Sequence, residues 1–174
     1  MSIKVSIHDQ EVTSALQALT DAIGNVKPAL KAMGDVLIDS TKQRFQTTTA
    51  PDGTPWEANK ASTLINYANR FKSSSYSKKT GKITKAGIDR ITGKKPGTGE
   101  TRKLQEQIFS NVTKDGLEVG SPMIYSSTFH NGAKKGQYGN GVPWGDIPSR
   151  EFLGLSDEDQ GDILDIIRQH FLFS

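Results

Sequence analysis

Ile3, Val5 and Ile7 alternate with the polar Lys4 and Ser6, and that period of two predicts a half-buried strand. Asp9 then stands where a helix N-cap belongs. Val12, Ala15, Leu16, Leu19 and Ile23 recur at helical spacing until Gly24-Asn25 stops the run. A second helix is predicted from near Pro28, because proline suits a first helical turn. Leu30, Met33, Leu37, Thr41 and Phe45 carry one face of it to about residue 46. The pattern suits two antiparallel helices or one helix bent at Gly24.

Between Thr47 and Trp56 the periodicity gives way to turn chemistry. In Pro51-Asp52-Gly53, proline presets φ, the aspartate bonds the local backbone and the glycine accepts positive φ. Trp56 is expected to pin this turn to the core, and a short helix is predicted over Ala61 to Tyr67. Residues 70–103 are polar, rich in Gly, Ser and Lys, and weakly periodic. That composition predicts a flexible excursion from the domain. Order resumes at Leu104, and Ile108 and Val112 on one side with Phe109 and Asn111 on the other predict a strand through Thr113. Lys114-Asp115-Gly116 turns the chain and Leu117, Val119 and Ser121 return it, a hairpin signal. A short helix is expected within Pro122 to His130, ended by Asn131-Gly132. A glycine-rich loop follows over residues 133–145, then an extended stretch over residues 147–155, where Pro148 disfavours helix before it. Ser156 caps a last helix whose first turn holds Asp157, Glu158 and Asp159 against the macrodipole. Its apolar face is Ile163, Leu164, Ile166, Ile167 and Phe171.

Helices and hairpin are segregated along the chain, which predicts an α+β fold. A small antiparallel sheet would pack against two N-terminal helices and a C-terminal one. The 174 residues fit one domain, 1–174, with the excursion inside it. An apolar fraction of 34% is low for a globule and agrees with chain lying outside the core. Without cysteine there is no disulfide or thiolate chemistry. The opening MSIKVSIHDQ lacks the apolar stretch of a signal peptide, and no run of about eighteen apolar residues predicts a membrane span. The reading is of a soluble protein used without secretion.

Charge alters the picture most. The overall +3 hides eleven Lys/Arg against Asp89 and Glu100 in residues 70–103, a local +9 on a body of −6. Lys78, Lys79, Lys82, Lys85, Arg90, Lys94 and Lys95 are the candidate contact residues of that stretch. They suit docking on an acidic neighbour, a second copy included, or phosphate contact weakening with salt, or a solvated loop. Only Phe71 and Tyr76 interleave with them, so base stacking is not predicted.

No catalytic motif emerges. The three histidines, His8, His130 and His170, lack metal-ligand spacing, and His130 reads as a packing or capping residue. Gly93 to Gly99 fails as a phosphate loop, because no Gly-Lys-Ser/Thr follows and Pro96 removes an amide. Gly136 to Gly145 fails as a dinucleotide motif, and both stretches read as flexible loops. Neither a cofactor nor a metal is predicted.

Four segments together resemble the phage virion morphogenesis family, which includes tail completion proteins of Mu-type phages. Arg44-Phe45 with Pro51-Asp52-Gly53-Thr54-Pro55-Trp56 is similar to the family's helix end and its turn. The hairpin end Leu117 to Ser121 is the second segment. Tyr125 to Gly132 is similar to a Tyr-Ala-x-x-His-x-x-Gly element, with Ser126 in place of Ala and His130 one position later. Ile147-Pro148-Ser149-Arg150-Glu151-Phe152-Leu153-Gly154 resembles the Ile-Pro-Ala-Arg-x-Phe-Leu-Gly ending. Physically, Trp56, Phe152 and Leu153 would fasten turns to the core, Arg150 would pair with an acid, and Pro148 would stiffen the approach.

The resemblance covers nearly everything except residues 70–103. It implies a non-enzymatic virion protein of the head–tail junction or tail end, assembled in the host cytoplasm. Related neck and tail-end proteins form rings, commonly sixfold. The implied partners are further copies, the neck or connector, the tail tube or the tail terminator, with packaged DNA as a contact of the basic stretch. The alternative from another class is a nucleic-acid-binding protein acting through residues 70–103.

Overall fold

The computed structural model describes residues 3–4, 9–23, 25–99, 101–113, 116–137 and 146–172. Expectations for residues 5–8, Gly24, the Lys114-Asp115 turn, residues 138–145, and the side chains of Leu19, Ile23 and Phe171 lie outside those described.

The chain begins with β1 (Ile3–Lys4), and Asp9 then caps α1 (Gln10–Ile23) by accepting the Val12 N–H at 2.9 Å. A separate helix α2 (Lys27–Thr47) follows with Pro28 in its first turn, so the two-helix form holds. Leu30, Met33, Thr41 and Phe45 of α2 are buried as the spacing predicts, and Arg44 is buried with them. The hairpin pairs β2 (Phe109–Thr113) with β3 (Gly116–Ser121), closing on Thr113 and Gly116. β1 adds to the far edge of β3, giving a three-stranded antiparallel sheet in the order β1-β3-β2. The fold is α+β.

It is α2 that lies directly on the sheet, where Gly34 lets the helix come down close. A Cβ there would stand 2.7 Å from Ser110 Oγ. The last helix, α8 (Asp157–Leu172), packs on both α1 and α2, so the layers run sheet, α2, α8, α1. One apolar cluster joins Ala29, Leu30 and Met33 of α2 to Ile163 and Ile167 of α8, with Val12, Ala15 and Leu16 of α1 against it. The second gathers Phe45, Trp56, Leu104, Ile108, Phe152 and Leu153 beyond the C-terminal end of α2. A single helix thus ties both cores together.

Residues 70–103 depart from the composition-based expectation. After α3 (Ala61–Arg70) come α4 (Lys72–Ser75) and α5 (Lys85–Thr92), joined through a bridge between Tyr76 and Ile83, and α6 (Lys103–Glu106) follows. Thr84 caps α5 through Gly87 N–H at 3.1 Å, and its own hydroxyl donates to Ser74 O at 2.8 Å. Arg90 ties α5 to α4 through Ser75 Oγ at 2.8 Å and lies over the Phe71 ring, 4.7 Å from its centroid. Order here comes from caps and cation–π contacts, which hydrophobic periodicity does not register. Leu104 is buried in the short helix α6, where order was expected to resume.

Candidate functional site

The turn after α2 is built as its residues dictate. Gly53 N–H donates to Ala50 O at 2.9 Å, and Thr54 N–H to Asp52 Oδ1 at 2.9 Å. That backbone bond holds the Asp52 carboxyl below the ordinary carboxylate range. Trp56 then enters the core, with its indole N–H donating to Glu151 O at 2.8 Å and its ring edge-on to Phe45 at 5.2 Å.

The last motif packs against this turn. Arg150 donates to Glu57 O at 2.8 Å and Ala58 O at 3.2 Å, and its guanidinium lies 5.7 Å from the Phe129 centroid. The expected acid partner is replaced by two carbonyls, because the chain after Trp56 presents its backbone to this side. Burial lowers the Arg150 pKa and the Glu57 charge opposes that. Phe152 is fully buried between Phe45 and Phe129, and Leu153 is buried in the same cluster.

The short helix α7 (Ser126–Asn131) ends at Gly132, whose φ of +71° favours glycine. A Cβ on Gly132 would stand 2.6 Å from Ile147 O, where Ala133 and Ile147 exchange hydrogen bonds of 2.9 and 2.7 Å. Pro148 follows that bridge. His130 is buried, its Nδ1 accepting the Phe152 N–H at 3.3 Å. Burial pushes the imidazole pKa down, with the Glu151 charge opposing, so the ring sits neutral in the fold. Tyr125, by contrast, is exposed beside Ile124.

Sequence reasoning missed the centre of this knot. Arg44 donates from Nη1 to Phe152 O and Gly154 O, both at 3.0 Å, and from Nη2 to Ser40 Oγ and Asp159. Asp159 is buried and also accepts the Ser156 N–H at 2.9 Å, so one carboxylate closes a capping box and an ion pair. Asp157 and Glu158 remain exposed, as first-turn acids do. Two signals were present: Arg44 falls on the buried stripe of α2, and Ser156 and Asp159 have capping-box spacing.

The seven basic candidates separate into two groups. Lys78, Lys79, Lys82 and Lys85 are exposed around the Tyr76–Ile83 turn and the start of α5. Ile83 and Ile88 of the same segment, with Phe71 before α4 and Ile65 of α3, are 40–50% exposed. Arg90, Lys94 and Lys95 instead line a cleft of about 710 Å³ together with Phe45, Tyr67 and Arg102. The Gly93–Gly99 stretch at its rim is seated rather than loose. At Gly97 φ is +74°, and a Cβ would stand 2.7 Å from the Phe129 ring and 3.0 Å from Phe45. Lys95 Nζ further donates to Gln46 O at 2.6 Å, at the end of α2.

Among the described residues, no group of three His, Cys, Asp or Glu side chains is placed to hold a metal ion. Nor, among them, is any helix long and apolar enough to cross a membrane. Trp56, His130, Arg150, Phe152 and Leu153 make a packed knot, with Asp52, Gly53 and Tyr125 at the surface, and the basic residues make a surface and a cleft.

No curated protein and no solved structure matched the chain. A family model described as the phage virion morphogenesis family matches residues 7–172, nearly the whole length. The match runs through the basic stretch as well as the four motifs. It carries a structural role in phage assembly and association with the virion, and the chain belongs to the phage virion morphogenesis family.

Proposed function

We propose that this chain completes the phage tail at the head–tail junction, as a non-enzymatic component that assembles into a homo-oligomeric ring. The observation that supports the ring is the division of the surface. The basic segment exposes Lys78, Lys79, Lys82 and Lys85 as well as Phe71, Ile83 and Ile88, and α3 exposes Ile65, while α8 exposes Asp157, Glu158, Asp162 and Asp165. A head-to-tail contact of the basic layer on the acidic helix of the next copy repeats around a closed ring. Such a contact buries apolar side chains that one copy leaves in water, and the opposite charges set its register.

Ile124 is 77% exposed, and with Tyr125 it projects from the turn between β3 and α7. This pair is suited to a neighbouring virion protein, in the class of the neck, connector, tail tube or tail terminator. Particles assembled without this chain are expected to carry detached or defective tails. Normal, fully joined particles contradict the reading.

A further inference from the structure

The C-terminal ends of α2 and α5 meet residues 93–99 and Arg102 around the basic cleft. Arg90, Lys94, Lys95 and Arg102 line it, and Asp89 is the one carboxylate among the described lining residues. Three of the cations bond neutral partners rather than carboxylates. Arg90 bonds Ser75 Oγ, Lys94 Nζ donates to Gly99 O, and Lys95 Nζ donates to Gln46 O. Burial lowers the Lys94 pKa first, and the charges of Arg70 and Arg102 lower it further. Cations gathered in a partly enclosed cleft focus a positive potential, and an anion entering it relieves their mutual repulsion.

Two features narrow the anion. The volume of about 710 Å³ exceeds that of a lone ion and admits a phosphate with an attached sugar. The Tyr67 ring face is already covered by Lys94 Nζ at 4.3 Å, so a base has no aromatic platform there.

We propose that this cleft binds a phosphodiester of a nucleic-acid backbone, through Lys94 and Arg102, without reading bases. Lys94 and Arg102 lie outside the proposed ring contact, which uses the Tyr76–Ile83 turn and α5, although Arg90 of α5 also lines the cleft.

The test is fluorescence anisotropy of the full chain with labelled random-sequence oligonucleotides, single-stranded and duplex, between about 50 and 200 mM salt. Binding without sequence preference that weakens with salt is expected. Lys94→Gln with Arg102→Gln should lower affinity about tenfold or more at low salt and reduce the salt slope by about two. Lys31→Gln with Lys134→Gln removes the same charge away from the cleft and should change affinity less than about threefold, given screening. Arg102 is exposed, so Arg102→Gln alone keeps the test open if Lys94→Gln disturbs folding. Its expected effect is about one unit of salt slope. Competition by inorganic phosphate supports phosphate recognition. Absence of oligonucleotide binding at low salt, equal losses from both pairs, or cleft variants that alter only self-association overturn the proposal.

Discussion

Arg44 and Asp159 lie 115 residues apart and meet as a buried ion pair, with side chains only 7% and 2% exposed. The same guanidinium holds Phe152 O and Gly154 O, so the Phe-Leu-Gly stretch of the last motif is fixed to the end of α2. The carboxylate in turn receives the Ser156 N–H, which sets the start of α8. Through one pair, the long N-terminal helix positions the C-terminal helix and the final motif.

Removing one member leaves the other buried without its counter-charge. Asp159→Ala is expected to cost about 3–5 kcal/mol, whereas Asp157→Ala and Glu158→Ala should stay within about 0.5 kcal/mol. Urea unfolding of the three variants checks this. Equal midpoints would mean that the pair contributes no more than an exposed acid.

His130 gives the stability a pH dependence with a defined sign. Its folded pKa lies below the ordinary value, because burial among Phe152 and its neighbours disfavours the charged ring. The unfolded chain therefore binds more protons, and the stability from neutral His130 is full above about pH 6.5 and is lost as pH falls through the folded value. His130→Asn offers an Oδ1 acceptor to the Phe152 N–H and cannot titrate. Thermal unfolding between neutral and mildly acidic pH should be flatter for the variant, and parallel curves contradict the assignment.

Ser126 is fully buried, and its Oγ has no hydrogen-bond partner among the described residues. Its position is the one where the family's motif has alanine. Ser126→Ala is expected to raise stability by about 1 kcal/mol, because a buried hydroxyl without a partner carries its desolvation cost uncompensated. Denaturant midpoints measure it, and a loss of stability counts against the geometry.

Gly97 tests whether the 93–99 stretch is seated on the core. Alanine there meets both a positive φ and the Phe129 and Phe45 rings. Gly97→Ala should destabilise by about 1–3 kcal/mol, whereas a mobile surface loop would tolerate it. Amide exchange of residues 93–99 in the unaltered protein provides the second readout.

The hydrophobic periods of α2, the hairpin and α8 made the main elements legible, because each buries one face against another element. Asp9 and Ser156 were legible as caps from their positions before apolar runs. Residues 70–103 were not. Thr84, Arg90 and Gly97 order that stretch through a cap, a stacked guanidinium and a close approach, and none of these leaves a hydrophobic period. Arg150 misled because an arginine in a motif invites an acid partner, while here the neighbouring chain offers the carbonyls of Glu57 and Ala58. The cleft joins Phe45 to Arg102 across the fold, so only the three-dimensional arrangement shows it.

We propose that this family member forms a ring at the completed end of the phage tail. Electron cryo-microscopy of the assembled particle tests it most directly. The account predicts a closed ring at the head–tail junction, with the Tyr76–Ile83 turn and α5 of each copy against α8 of the next. A joined particle that lacks this chain, or holds it as isolated copies with residues 70–103 facing solvent, contradicts it.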